Sequence, residues 1–216
     1  MRNSGRTKRK PKNIKVKNER WLIVCEGEKT EPYYFEDLIR YANELSEKKI
    51  DSTIRGTGRN TESLVEYTEL LESVAVFGKE SIINYSKTFV VFDKDSFEAE
   101  QFNNAIYKAE RMDYIPIWSN ECIELWFLLH FSYFNSSVVR GIYFEKLEKI
   151  FGDKYDKAAR SFPLLMEKGS IKDAYRNAKQ LHDNVGEESF AKQNPCTMVF
   201  KLINELEASL DINLTK

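Results

Sequence analysis

The sequence has no long apolar run and few cysteines, and each shortage argues against a class of protein. No apolar stretch approaches the ~20 residues that a membrane-spanning helix requires, and the basic opening MRNSGRTKRKPKNIKVK is not followed by the apolar core of a secretory signal. The three cysteines, Cys25, Cys122 and Cys196, form no C-x-x-C pair, which argues against a zinc ribbon or a disulfide framework. We therefore expect a soluble, cytoplasmic protein with no membrane partner, whose cysteines are reduced and buried.

Positive charge is distributed unevenly along the chain. Residues 1–18 hold eight Lys or Arg side chains and no acidic one, which leaves 25 basic and 34 acidic side chains, a net charge of −9, in the rest. Such a block of like charge is typical of a solvated, disordered arm, and it is also suited to docking on phosphates. Both interpretations predict that ordered structure begins near Glu19.

Residues 19–120 alternate between short apolar runs and helical patterns. Four strands are predicted, in the segments RWLIVC, IDSTIR, KTFVVF and DYIPIW, and a helix follows each of the first three. This alternation indicates right-handed βαβ units and a parallel sheet. Thr30 is the expected N-cap of the first helix. Pro116 favours an edge position for the fourth strand.

Residues 121–216 are predicted to form a helical extension packed on this core. Helices are expected in ECIELWFLLHF, YFEKLEKIF, AYRNAKQLH and PCTMVFKLINELEASL, with Asn194 before Pro195 marking the start of the last one. No further strand is expected. Two interpretations are open for the aromatic residues near the junction, a core cluster or a base-stacking platform, and we favour the core. They are Trp118, Trp126, Phe127 and Phe131.

Carboxylates follow three of the four predicted strands. Glu26 follows the first, Asp93 and Asp95 follow the third, and Glu121 follows the fourth. Ligands of parallel sheets bind outside the carboxyl ends of the strands, where a buried carboxylate is costly unless it meets a cation. If the first and third strands are neighbours, about 4.8 Å apart, their exit side chains converge within reach of one ion. Asp93 and Asp95 are expected on one side of the extended chain, and oxygen ligands suit Mg²⁺ or Mn²⁺.

These residues lie in segments that resemble a known family. Glu26 in a Glu-Gly turn, together with the later Asp-x-Asp, resembles the Toprim domain of topoisomerases, primases and OLD-type nucleases. More narrowly, CEGEKTEPYYF, VVFDKDSF, SNECIELWFLLHF and NPCT resemble the RloB-like family of prokaryotic defence proteins, from Trp21 to roughly Leu206. The resemblance implies an α/β fold with a Toprim-like, four-stranded, mainly parallel sheet of order 2-1-3-4. It also implies divalent-metal nuclease chemistry and a role in abortive phage defence, often beside a separately encoded ATPase.

The resemblance also implies roles for individual residues. It makes Glu26 a metal ligand or general base, and Asp93 and Asp95 metal ligands. Glu124 and His130 match the family's Ser-Asn-x-x-x-Glu-x-Trp-x-x-x-His pattern. Glu124 is then either a catalytic group, as a second-metal ligand or an acid-base group, or a surface or ion-paired glutamate. His130 is either a hydrogen-bonded structural histidine or a group that contacts phosphate or transfers a proton. Glu121 departs from the family pattern, which usually has Pro after Ser-Asn.

Three basic residues near the acidic cluster are candidate contacts to substrate phosphate. Lys29 and Lys94 flank the cluster and either contact phosphate or balance the nearby acids. Arg59 lies in the GTGRN loop before the second helix, where glycines allow backbone N–H groups to approach an anion. The alternative for this loop is a simple turn followed by Thr61 as N-cap. It lacks the Lys-Ser/Thr of a P-loop, so no ATPase site is predicted.

Two functions are consistent with these features. The first is a metal-dependent nuclease that cleaves DNA, or RNA such as transfer RNA, as a toxic effector in abortive infection. The second is a non-catalytic module that binds a nucleotide or an ATPase partner. Clustered carboxylates favour catalysis, because a pocket for phosphate alone gains little from negative charge. Nucleotidyl transfer, as in primases, is a weaker third hypothesis, since no zinc-binding or template-handling domain is recognisable.

Overall fold

The computed structural model describes residues 18–77, 84–95, 97–186 and 188–216. Five strands form the sheet: β1 (Glu19–Cys25), β2 (Ile50–Gly56), β3 (Lys87–Asp93), β4 (Ile115–Asn120) and β5 (Cys196–Thr197). The helices of the described residues are α1 (Thr30–Glu44), α2 (Thr61–Phe77), α3 (Ala99–Arg111), α4 (Glu124–Leu129), α5 (Arg140–Phe151), α6 (Phe162–Lys168), α7 (Ile171–Asn184) and α8 (Val199–Leu210). The predicted basic arm lies outside the described residues, except for its last residue.

The sheet has the strand order β2-β1-β3-β4-β5. The first four strands run parallel, which confirms the predicted α/β class and the order 2-1-3-4. β5 adds antiparallel to β4, so the predicted edge position of β4 was wrong. Pro116 is compatible with an inner strand here because β5 pairs only with Ser119 and Asn120, and therefore needs no N–H from Pro116.

The central strands are buried along almost their whole length. In β1 the residues from Trp21 to Cys25 have no exposed surface, and in β3 those from Thr88 to Phe92 are at most 5% exposed. Continuous burial of this kind is typical of parallel strands with helices on both faces. It places the polar residues that follow these strands at one end of the sheet.

The extension shares the interior of the core. α4 is buried throughout, and Trp126 Nε1 donates a hydrogen bond to the Tyr34 hydroxyl at 2.6 Å. Trp118, Trp126 and Phe127 are at most 1% exposed, which confirms the core interpretation for these three. The hydroxyls of Ser119 and Thr197 are hydrogen-bonded at 2.8 Å where β5 joins the sheet. The extension therefore supplies a strand, and the expectation that it is helical throughout was wrong.

Several helix ends differ from their predicted caps. α1 begins at Thr30, but the Thr30 hydroxyl donates to the Lys157 carbonyl at 2.9 Å instead of capping the helix. At the start of α2, Asn60 Oδ1 accepts from the Ser63 N–H at 3.1 Å, so Asn60 is the cap and not Thr61.

The last helix begins later than predicted. α8 starts at Val199, because Cys196 and Thr197 after Pro195 extend along β4. α6 is not predicted from the sequence pattern. The three cysteines are free and buried, as predicted. Among the residues that the structure describes, no helix combines the length and the apolar character that a membrane span needs.

Candidate active site

A cleft of about 500 Å³ opens at the carboxyl ends of β1 and β3. This is the place where parallel sheets bind ligands. The lining residues come from the β1–α1 turn, the exit of β3, the start of α4, the start of α5 and the α5–α6 loop. They are Glu26, Gly27, Glu28, Lys29, Thr30, Glu31, Asp93, Asp95, Ile123, Glu124, Arg140, Asp156, Lys157 and Ala158. The cleft thus brings together the three carboxylates that are predicted to meet, and Glu124 with them.

Glu26 is held at the end of β1 by its backbone and its side chain. Its N–H donates to the Val91 carbonyl at 2.8 Å, which continues the pairing with β3. Its Oε2 accepts from the Asp93 N–H and from the Thr61 hydroxyl, each at 3.4 Å. Burial raises the pKa of Glu26 to about 7, and the carboxylates of Glu31 and Asp95 add to this rise. A carboxylate with this pKa accepts and releases protons near neutral pH.

Asp93 and Asp95 occupy different kinds of backbone. Asp93 is the last residue of β3; burial, and then the carboxylates of Glu31, Glu124 and Glu26, raise its pKa well above the usual range. Asp95 lies beyond the strand with φ at 37°, in the left-handed region that Asp tolerates better than most residues. The chain is therefore not extended through both residues, and the predicted reason for their sharing a side was wrong.

Glu31 is a cleft residue that is not predicted from the sequence. It lies in the first turn of α1, is 6% exposed, and folds over Gly27 so closely that a Cβ there would lie 2.0 Å from Glu31 Oε2. Burial, and then the carboxylate of Glu124, raise the pKa of Glu31. A usable signal was present: an acid just before Pro32, in the helix that follows the Glu-Gly turn.

Glu124 is buried, so it is not a surface glutamate. Its side chain is 1% exposed, and its Oε1 accepts from the Tyr155 hydroxyl at 3.0 Å and lies 3.8 Å from Lys157 Nζ. Glu124 Oε2 has no hydrogen-bond partner among the described residues. The ion-paired alternative therefore holds for one oxygen, and the other is buried beside the cleft without a partner among the described residues.

Arg140 is the second cleft residue that the sequence patterns do not predict. It is the first residue of α5, and its Nη1 lies 3.1 Å from Asp95 Oδ2 while its Nη2 lies 4.0 Å from Asp93 Oδ2. The guanidinium group thus bridges the two aspartates after β3. No feature near Arg140 in the sequence marks it for this position, because the contact depends on how α5 packs.

The predicted phosphate contacts lie in different places. Lys29 lines the cleft. Arg59 lies over the Tyr67 ring, 4.3 Å from its centroid, and Lys94 Nζ donates to the carbonyls of Asp95 and Phe97. Of the four predicted contacts, Lys29 alone lines the cleft.

His130, the fourth predicted contact, is inside the protein. It is 1% exposed, its ring packs edge-on to Trp126, and neither ring nitrogen has a hydrogen-bond partner among the described residues. Burial lowers the pKa of His130 to about 3. In this arrangement the ring does not reach a phosphate in the cleft, and it is a packed rather than a hydrogen-bonded histidine.

The comparison with protein families agrees with the segments that form the cleft. A family model described as RloB-like protein matches residues 21–206. The chain belongs to the RloB-like family. The match includes every residue that lines the cleft. No curated protein and no solved structure matches the chain.

The oxygen atoms of the RloB-like cleft suit a divalent cation. Glu26, Asp93 and Asp95 would hold it, and hard oxygen donors of this kind favour Mg²⁺ or Mn²⁺. Two observations support the fit: burial, and then neighbouring carboxylates, raise the pKa of Asp93, and Glu124 Oε2 is buried without a hydrogen-bond partner among the described residues. A cation would offset both costs. In the described part of the chain, no three His, Cys, Asp or Glu side chains are already gathered at metal-binding distances, and Arg140 contacts Asp93 and Asp95.

Proposed function

We propose that this RloB-like protein is a metal-dependent nuclease that hydrolyses phosphodiester bonds of a nucleic acid strand. The observation that carries the proposal is a group of carboxylates at the open end of a parallel sheet, of which Glu124 is buried and Glu26 and Asp93 are partly buried. A cleft that only held a phosphate would be destabilised by these charges, because they repel the ligand and are costly to desolvate. A cleft that holds a cation and a phosphate together needs these carboxylates, because they bind the cation.

The side chains divide the chemistry between them. Mg²⁺ or Mn²⁺, when bound, would neutralise the phosphate and stabilise the charge that develops on the leaving oxygen. Glu26, which lines the same cleft, accepts the proton of the attacking water while the water oxygen bonds to phosphorus and the P–O bond to the leaving nucleotide breaks. Lys29 and Lys157 line the same cleft and attract the strand.

Membership of the RloB-like family supports a proposal for the cellular role. We propose that the nuclease is a toxic effector of abortive infection and that a separately encoded ATPase controls it. Expression of the wild-type protein in bacteria should then arrest growth, and expression of Glu26→Gln should not. Equal growth arrest by both proteins would assign the toxicity to something other than cleavage.

The direct test of the proposal is cleavage of labelled RNA and DNA with and without Mn²⁺. The wild-type protein should cleave at least one panel, and chelation should abolish cleavage. An Asp93→Ala/Asp95→Ala variant should be inactive, whereas Glu110→Gln, which changes an exposed residue of α3, should be as active as wild type. Binding of a nucleotide without cleavage of any strand would instead favour the non-catalytic module.

A further inference from the structure

We propose that Arg140 is an internal cation that occupies Asp93 and Asp95 until a divalent cation displaces it, and that the displaced guanidinium group then binds the phosphate of the substrate strand. The first half of this proposal concerns cation exchange at two aspartates. The second half rests on the proposed nuclease function. Arg140 would in this way couple the binding of the cation to the binding of the strand.

The contacts of Arg140 are made to the oxygens that a cation would need. Its guanidinium group reaches Oδ2 of Asp95 at 3.1 Å and Oδ2 of Asp93 at 4.0 Å. Asp93 is the last residue of β3 and its side chain is 15% exposed, so few other groups have access to it. Two cations within a few ångströms of each other repel strongly, and Arg140 and a divalent ion therefore compete for these carboxylates.

Release of Arg140 breaks few other interactions. Its Nε is buried and has no hydrogen-bond partner among the described residues, so the two aspartates provide the polar contacts that hold the group. The side chain is 34% exposed and lines the cleft. The guanidinium group therefore has space to turn on its flexible stem while the backbone of α5 stays in place.

A phosphate in the cleft is the expected new partner of Arg140. The guanidinium fork donates parallel hydrogen bonds to two oxygens of one phosphate, as it does to carboxylates. Lys157, from the loop after α5, lies in the same cleft and would face the same strand. Nη2 of Arg140 lies 4.0 Å from Asp93 Oδ2, which is too far for a hydrogen bond, so one arm of the guanidinium group is not fully paired with a carboxylate. A phosphate beside a bound cation would offer it a closer pair of acceptors.

The proposal predicts a measurable coupling between two ligands. In the absence of a strand, Arg140 opposes the binding of the cation. Once the cation is bound, Arg140 is free to bind the strand, so each ligand strengthens the binding of the other, with a reciprocal coupling. A guanidinium group that only stabilised the fold would produce no such coupling.

The first experiment measures Mn²⁺ affinity by calorimetry, without nucleic acid. Arg140→Met keeps most of the apolar stem and removes the charge, and it should bind Mn²⁺ about 10-fold more tightly than wild type, a typical coupling between two sites. Arg140→Lys should lie between the two. The matched control is Arg176→Met, which removes an exposed arginine paired with Asp173 on α7, outside the cleft. Mn²⁺ affinity in Arg140→Met that equals or falls below wild type would overturn the exchange.

The second experiment measures the binding of labelled RNA and DNA oligonucleotides by fluorescence anisotropy, in a Glu26→Gln background that slows cleavage and keeps a side-chain oxygen at this position. Mn²⁺ should raise the strand affinity of this protein by about 10-fold. Addition of Arg140→Met should remove that gain, and Arg140→Lys should restore part of it. An equal gain with and without Arg140 would overturn the proposed contact to phosphate.

The two experiments separate this proposal from the nuclease proposal. Tighter Mn²⁺ binding by Arg140→Met, with no cleavage by wild type, would support the exchange and refute the nuclease. Cleavage by wild type, with no gain in Mn²⁺ affinity for Arg140→Met, would support the nuclease and refute the exchange. Absence of Mn²⁺ binding in every variant would refute both. Melting temperatures of the variants, measured in parallel, confirm that each of them is folded.

Discussion

The βαβ core and the helical extension contribute different balances of charge to one cleft: the core lining has five acids and one base, whereas the extension lining has two of each. The core supplies the carboxylates of Glu26, Glu31, Asp93 and Asp95, whereas the cations that contact cleft carboxylates, Arg140 and Lys157, come from the extension. The core side of the cleft does not balance its own charge. The extension is therefore part of the architecture of the cleft, and the cleft takes its electrostatic character only when both halves fold together.

Contacts at the rim of the cleft and beside it hold the two halves together. Arg160, in the α5–α6 loop, pairs with Asp37 at 2.5 Å and Glu36 at 2.7 Å on α1. The Thr30 hydroxyl bonds to the Lys157 carbonyl of that loop at 2.9 Å. These contacts keep the basic loop over the acidic end of the sheet.

Removal of two carboxylates that the core supplies should have the largest effect on the cleavage rate. Asp93→Ala/Asp95→Ala should lower the cleavage rate by about 10³-fold, corresponding to ~4 kcal/mol, because the stabilisation that a metal provides is of this size. Calorimetry should show that the variant no longer binds Mn²⁺. Isotherms indistinguishable from wild type would refute the assignment of the site to these residues.

A single change at Glu26 should separate chemistry from stability. Glu26→Gln keeps the shape of the side chain and loses the base, so the cleavage rate should fall on the order of 10²-fold. The melting temperature without metal should hold or rise, since burial and neighbouring acids raise the pKa of Glu26 and so oppose its charge in the fold. Loss of the folded state, or full activity, would show that Glu26 has a structural role.

Breaking the link between the halves should lower stability without touching the carboxylates of the cleft. Asp37 is 1% exposed and its Oδ2 has no partner among the described residues, so it depends on its contacts to Arg160 and Arg40. Arg160→Ala should lower the free energy of unfolding by about 1–3 kcal/mol, the cost of an under-compensated buried polar group. Arg176→Ala, in an exposed pair, should change it by less than about 0.5 kcal/mol. Equal effects in urea unfolding would mean that Asp37 does not need Arg160.

The metal-free protein should become less stable as pH rises. The pKa of Glu26 is about 7 in the fold, against its ordinary 4.5, so the folded state binds more protons between these values. Asp93 and Glu31 have raised pKa values too. The free energy of unfolding should therefore fall from about pH 5 to about pH 8, and Glu26→Gln should reduce the slope. Urea unfolding at several pH values, in the presence of a chelator, measures this dependence. A free energy of unfolding that rises with pH would contradict the raised pKa values of these acids.

The basic arm should have the smallest effect on stability, and its effect should appear in binding. Deletion of residues 1–18 removes eight positive charges and few apolar side chains, so the melting temperature should stay nearly unchanged. The full-length protein should show the steeper dependence of strand affinity on salt, because its additional contacts release counterions. Equal slopes for the two proteins would mean that the arm does not touch the strand.

The sequence by itself determined the parallel sheet and placed Glu26 and Asp93 at the ends of two of its strands. The apolar runs of β1 and β3 are local patterns, and the residue at the end of each run lies at the end of a strand whatever the rest of the chain does. Glu26 and Asp93 were therefore predictable. The RloB-like motifs extended this prediction to Glu124.

Only the tertiary structure decided which basic residues contact the carboxylates of the cleft, and where β5 forms. β5 has two residues, too few for a pattern, and it forms because β4 offers a free edge beside Ser119 and Asn120. Arg140 begins a helix whose local sequence does not indicate what it faces. His130 fits the family pattern, yet the packing of α4 buries it. Charge partners that are distant in sequence are selected by packing, which acts through the whole fold and leaves no periodic signal in the chain.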